Sequence, residues 1–331
     1  MKILLTGAAG FIGSHLAQRL CARGERVTGF DNFDAFYGRD VKQRNLAELA
    51  APTTAARWAF VEGDITDDAD LARAFAAAAG PDVVVHLAAL AGVRPSIAQP
   101  LRYQHVNVTG TMKVLQACRA RGVRRVVFAS SSSVYGVGSE VPFRESDPCR
   151  YPASPYAATK RAGELVAFTA HHLDGLGITC LRFFTVYGPR QRPDLAIHKF
   201  TRLIDAGQPI PLFGDGSASR DYTFIDDIID GVVAAVDQQH QPSGEGVYRV
   251  YNLGGSRTTT LLRLVELISD ALGRKAKVQW LPDQPGDLRH THADVALAGR
   301  DLGFSPKIGI EEGIARFAAW WKSGGGGQPT G

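Results

Sequence analysis

The stretch TGAAGFIG (6–13) follows a short apolar run, KILLTG (2–7), and leads into an amphipathic segment. Its glycines, Gly7, Gly10 and Gly13, have the spacing GxxGxxG. Between a strand and a helix, such glycines allow a tight turn, a close approach to a pyrophosphate at the helix N-terminus, and close helix–strand packing. A lone glycine pattern is weak evidence, but here a strand precedes it and a helical pattern follows. The stretch therefore predicts a dinucleotide site.

Short apolar or β-branched runs alternate with longer helical patterns in the first half of the chain. Near-continuous apolar strands separated by helices indicate a parallel sheet covered on both faces, and right-handed crossovers make it doubly wound. The predicted strands are 2–7, 26–31, 58–64, 82–89, 124–131 and 178–188, and helical segments include 14–24, 68–80 and 109–122. The predicted fold class is α/β, with a doubly wound parallel (Rossmann) sheet.

After residue 188 the pattern changes to loops rich in Pro, Gly and polar residues. A helix at 226–236 and a strand at 247–255 then indicate that the chain returns to the main sheet. We therefore expect a smaller, interleaved C-terminal lobe that binds substrate. The predicted division is 1–188 with 221–255 for the NAD-binding domain, 189–220 and 256–322 for the nucleotide-sugar lobe, and 323–331 for a disordered tail.

Composition excludes several classes of function. The 331 residues carry a net charge of +4 without Lys/Arg blocks, so a nucleic-acid partner is not expected. The apolar run at the start is shorter than a signal peptide requires, and no run approaches about 18 apolar residues, so we expect no membrane partner and a cytoplasmic location. The four cysteines form no CxxC pair, so we expect idle thiols and no metal.

Two acidic residues follow predicted strands. Asp31 ends the second strand about 20 residues after the glycines, where a carboxylate binds the ribose hydroxyls and repels a 2′-phosphate, which favours NAD over NADP. Asp64 ends the third strand candidate and has two readings: with Ile65 it holds the adenine, or it caps the helix that follows. The sequence leaves both open.

The segment YAATK (156–160) places Tyr156 and Lys160 on one helix face. An ammonium beside a phenol lowers the phenol pKa from about 10 towards neutrality, which makes the tyrosine a usable general acid or base. The pattern YxxxK alone is common and usually marks a solvated helix face. It becomes specific here because a glycine fingerprint and a serine run, 130–133, precede it.

Together these motifs resemble the extended short-chain dehydrogenase/reductases, in the nucleotide-sugar epimerase and dehydratase group, over roughly residues 1–320. The resemblance implies a catalytic triad of Ser131, Tyr156 and Lys160, because Ser131 lies three positions before the Val of VYG. It also implies that HLAA (86–89) lies beside the nicotinamide and that Asn107 supports the active-site helix. The residues assigned to NAD are Gly7, Gly10, Phe11, Ile12, Gly13, Asp31, Asn32, Asp64, Ile65, Leu87, Ala88, Ala89, Asn107, Tyr156 and Lys160.

The residues after Ser131 separate members of the group. Dehydratases carry Asp-Glu there and a decarboxylating relative carries a Glu, whereas this chain has Ser132 and Ser133. Dehydration is therefore disfavoured, and decarboxylation less strongly. UDP-galactose 4-epimerases usually have Asn at the position of Thr185 and Lys at that of Ala91, so these departures weaken that assignment. An Arg that they carry before PGD is replaced by Gln284.

The segments RFFTVYGP (182–189), RPD (192–194) and AGVRPS (91–96) resemble the UDP-glucuronic acid 4-epimerases. A uronate carries an extra carboxylate, to which neutral hydroxyls can donate hydrogen bonds and arginines can supply charge. Arg94 and Arg192 also have a plainer reading, as solvent-facing loop residues. The residues assigned to substrate are Arg94, Ser131, Ser132, Ser133, Thr185, Arg192, Phe213 (against the base), Arg220 (on the diphosphate) and Asp287.

The resulting prediction is NAD-dependent 4-epimerisation of a UDP-sugar, from UDP-glucuronate to UDP-galacturonate, by transient oxidation at C4, rotation of the 4-keto sugar and hydride return. The alternatives are a UDP-glucose/UDP-galactose 4-epimerase, a UDP-glucuronate decarboxylase, and a non-catalytic NAD-binding regulator, which the intact triad disfavours. The resemblance also implies a homodimer through helices at roughly 105–122 and 156–172.

Overall fold

The computed structural model describes residues 1–240, 246–282 and 288–326. The strands are β1 Lys2–Thr6, β2 Arg26–Asp31, β3 Trp58–Glu62, β4 Val83–His86, β5 Arg125–Ser131, β6 Gly177–Phe183, β7 Thr185–Tyr187, β8 Pro209–Phe213, β9 Ser219–Phe224, β10 Tyr248–Leu253, β11 Thr258–Thr260 and β12 Lys277–Leu281. The helices are α1 Phe11–Ala22, α2 Arg39–Ala47, α3 Pro52–Ala55, α4 Asp68–Ala77, α5 Val93–Ala98, α6 Pro100–Gln104, α7 Gly110–Ala120, α8 Pro155–Asp174, α9 Ala196–Asp205, α10 Ile225–His240, α11 Leu261–Leu272, α12 Ala296–Leu302 and α13 Ile310–Trp320.

Seven parallel strands form the large sheet, in the order β10-β6-β5-β4-β1-β2-β3. The predicted doubly wound Rossmann fold is confirmed. Strand order reverses between β1 and β4, and the crevice outside the carboxyl ends of such neighbours is where open α/β sheets bind ligands. The glycine turn and the HLAA segment meet at this point.

Side chains of the central strands point alternately to the two faces of the sheet, as the pleat requires. Ile3 and Leu5 join one buried apolar cluster, which α1 and α10 cover. Leu4 joins a second cluster, which α4, α7 and α8 cover. Because both faces are buried, the strands are apolar throughout, and their ends are the places where polar residues can gather.

The prediction of one strand over 178–188 is wrong. β6 ends at Phe183, and β7 belongs to a separate sheet with the order β11-β9-β7. The break lies at Phe184, whose side chain is buried in a third apolar cluster with Tyr135 and Phe143. Both halves of the run are buried, so hydrophobicity could not reveal the break. It places Thr185 beyond the end of the large sheet.

The C-terminal half contributes strands to the large sheet and to the two smaller sheets. β10 pairs with β6 at the edge of the large sheet, whereas β8 and β12 form a separate parallel pair. The division of the chain into the predicted lobe ranges stays a prediction. A π-helical turn, Trp321–Gly325, follows α13 and includes the first residues of the predicted tail, and 327–331 lie outside the described residues.

The structure also bears on membrane spans, metal sites and the cysteines. Within the described ranges, no helix is long and apolar enough to cross a membrane. The same part of the chain holds no group of three or more His, Cys, Asp and Glu side chains that could bind a metal ion. All four cysteines are buried and free. Burial raises the pKa of the Cys118 thiol to about 12, so this side chain stays an unreactive thiol.

Candidate active site

A cavity of about 850 Å³ opens over the carboxyl ends of the central strands and continues beneath β7, β8 and β9. It brings together most of the residues that the sequence assigned to cofactor and substrate. Those that line it are Gly7, Gly10, Phe11, Ile12, Gly13, Asp31, Asn32, Ile65, Leu87, Ala88, Ala89, Arg94, Ser131, Ser132, Ser133, Tyr156, Lys160, Thr185, Arg192, Phe213 and Arg220. Asp287 lies outside the described residues.

The glycine turn forms one end of the cavity. Gly7 has φ +72°, and a Cβ there would lie 2.7 Å from the backbone nitrogen of Ala88. Only glycine meets both constraints, since L side chains strain at positive φ and the neighbouring strand leaves no space. Gly10 is the N-cap of α1, so the free N–H groups of that helix face the cavity. A phosphate group fits this helix end.

Asp31 is held in place by backbone donors. Its carboxylate accepts hydrogen bonds from Ala9 N at 3.1 Å and Phe33 N at 2.8 Å. Lys42 Nζ lies 3.6 Å from Asp31 Oδ1, and both side chains are buried. A fixed carboxylate at the end of β2 suits two ribose hydroxyls. The sequence analysis missed Lys42, because a single lysine in a polar helical segment carries no signal.

Tyr37 was also missed. Its ring lies 5.0 Å from Lys42 Nζ, and its hydroxyl is buried without a hydrogen-bond partner among the described residues. A Cβ on Gly10 would lie 3.9 Å from this hydroxyl, so Tyr37 faces the N-terminus of α1. A buried hydroxyl without a partner, a free helix end and a fixed carboxylate together form a donor and acceptor set that fits a dinucleotide.

Two of the assigned cofactor residues do not line the cavity. Asp64 accepts from Thr66 N and from Asn32 Nδ2, at 2.7 and 2.8 Å, and the N-cap of α4 is Asp67. Asp64 therefore shapes the turn after β3 and neither lines the cavity nor caps the helix. The reason is that its oxygens are already used by local donors.

Asn107 supports the site from behind. Its amide donates to Leu90 O at 2.9 Å and to Thr159 Oγ1 at 3.1 Å, and its oxygen accepts from Leu90 N at 2.8 Å. Asn107 does not line the cavity and links the loop after β4 to α8; its contact with the cofactor stays a prediction. The link to α8 is the supporting role that the family resemblance implied.

The triad lies where β5 ends and α8 begins. Ser131 ends β5 and caps a 3₁₀ turn, Ser132–Tyr135, by accepting from Ser133 N at 3.2 Å. Tyr156 is in the first turn of α8, where its phenol hydrogen-bonds with Ser131. One turn further on, Lys160 Nζ donates to Ala129 O at 2.7 Å. The helix thus presents phenol and ammonium to the same strand end.

The electrostatics of Tyr156 differ from the sequence expectation. Burial raises the pKa of its phenol, and the hydrogen bond with Ser131 and the charge of Arg192 oppose that rise. The expected lowering by Lys160 is not found, because its ammonium is directed to Ala129 O. Burial also lowers the pKa of Lys160 to about 8, against the charge of Glu164.

Arg192, Asp194 and Arg94 also line the cavity. Arg192 pairs with Asp194 through two contacts of 2.9 Å, and its guanidinium lies 5.3 Å from the ring centroid of Phe36. Arg94 stacks on Phe213 at 4.7 Å. Both arginines line the cavity. Arg192 is only partly exposed, whereas Arg94 is exposed, so its alternative reading as a solvent-facing residue stays open.

The segment after β2 closes one side of the cavity. Asp34, Phe36 and Tyr37 line it, and Arg102 on α6 pairs with Asp34 Oδ2 at 2.5 Å. Phe36 also lies near Gly92, the N-cap of helix α5, which carries Arg94: a Cβ on that glycine would be 3.4 Å from the ring. The segment after β2 therefore connects the cofactor end of the cavity with the substrate end. No sequence motif predicts this contact.

Residues 3–254 match a family described as the NAD dependent epimerase/dehydratase family. The chain belongs to this family. Among curated members, UDP-glucuronate 4-epimerase 1 of Arabidopsis thaliana is 41% identical over 337 residues, which cover 98% of this chain and 77% of that protein. The predicted likeness to extended short-chain dehydrogenase/reductases, and to UDP-glucuronate 4-epimerases among them, is confirmed.

Solved structures of the epimerase/dehydratase family superpose closely. UDP-glucuronic acid 4-epimerase from Bacillus cereus, in complex with UDP-glucuronic acid and NAD, matches with a TM-score of 0.89 and 35% identity, over 98% of this chain and 99% of that one. UDP-glucose 4-epimerase from Thermotoga maritima, with UDP-glucose, has a TM-score of 0.85 and 30% identity, with coverage of 98% and 99%. Fold alone therefore does not choose the sugar.

Beneath the cavity, His86 is buried between two hydroxyls. Thr6 Oγ1 lies 2.7 Å from Nδ1, and Thr111 Oγ1 lies 3.1 Å from Nε2. Thr111 donates its own proton to Asn107 O, so it accepts from Nε2–H, and Thr6 donates to Nδ1. Burial first, and then the charge of Lys160, lower the pKa of His86 to about 3. The imidazole is neutral in the folded protein.

The lowered pKa of His86 predicts that the fold loses stability in acid. Between pH 6.5 and 3 the unfolded chain binds a proton at His86 and the folded chain does not, so stability is present above pH 6.5 and is lost as pH falls. The residue contributes about 1.4 kcal/mol per pH unit to the slope of unfolding free energy. His86→Gln should reduce that slope between pH 6 and 5, as measured by urea denaturation. His105→Gln, at an exposed site, is the control; equal slopes in all three proteins would contradict the prediction.

Proposed function

We propose that the protein is an NAD-dependent 4-epimerase that interconverts UDP-glucuronate and UDP-galacturonate. One observation carries the choice of sugar: Ser132, Ser133 and Thr185, three neutral hydroxyls, line the cavity beside Tyr156 with no acid in the turn after Ser131. The Arabidopsis relative and the Bacillus cereus structure, both named for the same reaction, support it.

The dinucleotide end fits NAD. Gly7 and Gly10 give the pyrophosphate access to the N-terminus of α1, and Asp31 accepts from the adenosine ribose and repels a 2′-phosphate. Tyr37 and Lys42 are placed to add one donor each on the same side. NAD supplies the chemistry of hydride removal from C4 of the sugar and its return to the other face.

The triad handles the proton. Tyr156 takes the proton of the sugar 4-hydroxyl, and Ser131 orients that hydroxyl or relays the proton. Burial raises the pKa of the Tyr156 phenol, so the phenolate requires the nearby positive charges of Arg192 and of protonated Lys160 when substrate is bound. In this structure both contacts of the Arg192 guanidinium go to the Asp194 carboxylate. Arg192 must therefore release Asp194 before it can bind the substrate directly.

A uronate substrate can lose CO₂ during the reaction, and the neutral hydroxyls can prevent this loss. The 4-keto form of the sugar is a β-keto acid, which loses CO₂ when the breaking bond aligns with the carbonyl π system. Hydrogen bonds from Ser132, Ser133 and Thr185 would hold the carboxylate out of that alignment. An acid at one of these positions would repel the carboxylate.

The remainder of the cavity suits UDP. Phe213 packs against the base, with Arg94 stacked on its ring, and Arg220 binds the diphosphate; Asp287 stays a prediction. This end does not distinguish the two faces of the sugar, so a 4-keto sugar can rotate while the nucleotide stays bound.

Incubation of the purified protein with UDP-glucuronate tests the proposal directly. We expect UDP-galacturonate as the product, and Tyr156→Phe should lower kcat by roughly 100-fold or more, as for loss of a general acid–base. Nuclear magnetic resonance of the sugar H4 signal reports the inversion. UDP-xylose as the main product, or turnover of UDP-glucose alone, would refute the assignment.

Thr185→Val tests the hydroxyl clamp. It removes one donor to the uronate carboxylate at nearly constant volume. We expect kcat/KM for UDP-glucuronate to fall about 10-fold, with a larger fraction of UDP-xylose among the products. The kcat/KM for UDP-glucose should change little, because that sugar has no carboxylate for Thr185 to bind. The matched control is Thr258→Val, at an exposed position of β11. Equal losses with both sugars would remove Thr185 from carboxylate binding.

A homodimer through α7 and α8 is also proposed. Met112, Leu165 and Phe168 on these helices are 43%, 52% and 48% exposed, an apolar grouping that a second copy would cover. The expected cytoplasmic location stays a prediction.

Leu165→Lys tests the dimer. A charge at the centre of that face should convert the protein to a monomer at micromolar concentration, as measured by sedimentation equilibrium. Leu262→Lys is the control, because Leu262 is 43% exposed on α11, away from the proposed interface. A wild-type monomer, or a Leu165→Lys dimer, would contradict this interface.

A further inference from the structure

A buried ion pair lies directly behind the triad. Glu164 on α8 is fully buried, and Arg182 on β6 is 2% exposed. Arg182 donates from Nε to Glu164 Oε1 at 2.8 Å and from Nη2 to Oε2 at 2.9 Å, a bidentate arrangement. Arg161 Nη1 adds a third bond to Oε2 at 2.8 Å. Neither residue of the pair was identified from the sequence.

Two of the three partners of Glu164 adjoin a residue of the triad in sequence: Arg161 follows Lys160, and Ser130 precedes Ser131. Glu164 lies one helical turn after Lys160, which itself lies one turn after Tyr156. Ser130, which precedes Ser131 on β5, donates its hydroxyl to Glu164 Oε1 at 2.6 Å. One carboxylate therefore fixes α8 to the strand end that carries the catalytic serine.

Arg182 extends the network to the turn after Ser131. Its guanidinium lies 4.9 Å from the ring centroid of Tyr135, the last residue of the 3₁₀ turn. The Tyr135 hydroxyl donates to Asn252 Oδ1 at 2.6 Å, on the neighbouring strand β10. Ser132 and Ser133 lie in this turn, so the same pair also supports the hydroxyls assigned to the substrate carboxylate.

Stability alone is a poor reason for such a pair. Desolvation of two ions commonly offsets their attraction, and apolar replacements of buried pairs are often neutral or stabilising. Here the carboxylate has an additional effect, because its charge acts on the ammonium of Lys160, which burial penalises.

We propose that Glu164 is a positioning residue of the 4-epimerase: its carboxylate, fixed by Arg182 and Ser130, orients the end of β5 and supplies the negative charge that keeps Lys160 an ammonium, one helical turn from Tyr156. The inference rests on the proposed function for its reaction. It assigns Glu164 no contact with substrate or cofactor, since the residue does not line the cavity.

The charged and titratable groups around the pair favour this role. Glu164 faces Arg161 on α8, Arg182 on β6, Cys180 on β6 and Cys149 before α8, and burial keeps both thiols neutral by raising their pKa. Tyr248 on β10 donates to Glu164 O at 3.1 Å. Bonds from Arg182, Ser130 and Arg161 lower the pKa of Glu164 against its burial.

Groups on β4, β5 and α8 surround Lys160. On β4, His86 is neutral, as described above. On β5, Ala129 O accepts a hydrogen bond from the ammonium, and on α8 the neighbours are Tyr156 and Glu164. Glu145, beyond β10, accepts from Asn252 N at 2.8 Å and acts on Arg182. Loss of the Glu164 charge would leave the cations Arg161 and Arg182 uncompensated behind Lys160.

Glu164→Gln tests the proposal through the pH dependence of kcat. Without the carboxylate, Lys160 loses its proton at lower pH, so the basic limb of the profile should move down by about one pH unit. KM for UDP-glucuronate should stay within about two-fold of the wild-type value. The double variant Glu164→Gln with Arg182→Gln restores the charge balance and should return the limb towards its original position. An unmoved limb in Glu164→Gln overturns the proposal.

Two single variants separate charge from structure. Ser130→Ala removes a hydrogen bond to Glu164 and keeps its charge, so the limb should not move even if kcat falls. Arg161→Met removes a partly exposed cation from the carboxylate and should move the limb to higher pH. If Glu164→Gln fails to fold, Arg161→Met decides: an upward shift supports the proposal and an unchanged limb refutes it.

The choice of sugar does not affect this outcome. The limb is measured with whichever UDP-sugar the wild type epimerises, so a failure with UDP-glucuronate counts against the proposed function alone. If no sugar is turned over, ultraviolet difference titration of the NAD complex against Tyr156→Phe reports ionisation of Tyr156. A higher ionisation pH in Glu164→Gln would support the proposal, and an unchanged one would refute it.

Discussion

The bond from Lys160 Nζ to Ala129 O, 2.7 Å long, joins α8 to the end of β5, and the catalytic geometry depends on it. It sets the rotation of the helix, and with it the approach of Tyr156 to Ser131. It also takes the ammonium away from the phenol, which leaves burial as the main influence on the pKa of Tyr156. The resting site thus holds the Tyr156 phenol in position, and the positive charges that would stabilise its phenolate are those of Arg192 and Lys160.

A buried lysine whose pKa lies near 8 is a sensitive component. Small changes in the charges behind it alter the fraction that is protonated at neutral pH, because one pKa unit corresponds to about 1.4 kcal/mol. The Glu164–Arg182 pair supplies a fixed charge at that location. Its nearly dry surroundings strengthen the effect, since interactions between charges are screened less in the interior than at the surface.

Much of this could be predicted from the sequence, because the decisive signals are local. The glycine turn, the alternation of strands and helices, and the spacing of Tyr156 and Lys160 each depend on neighbours within one element or one turn. The break at Phe184 could not be predicted, since hydrophobicity is the same on both sides of it. Lys42 contacts Asp31 only after the chain has folded back, and no motif encodes that contact. The pKa of Tyr156 depends on burial, which is a property of the whole fold.

The neutral turn after Ser131 and the charged network behind it are two parts of one electrostatic arrangement. A dianionic diphosphate and a uronate bring negative charge into the cavity, where an acid would repel them and an unpaired cation would bind the uronate too firmly to let the sugar turn. Hydroxyls donate to a carboxylate without a net charge of their own, and each such bond is readily exchanged for another. Placing Glu164 between α8 and the sheet, outside the cavity, gives Lys160 its counter-charge without exposing an anion to the substrate. Orientation of the sugar can then change while the charges that serve Tyr156 remain fixed.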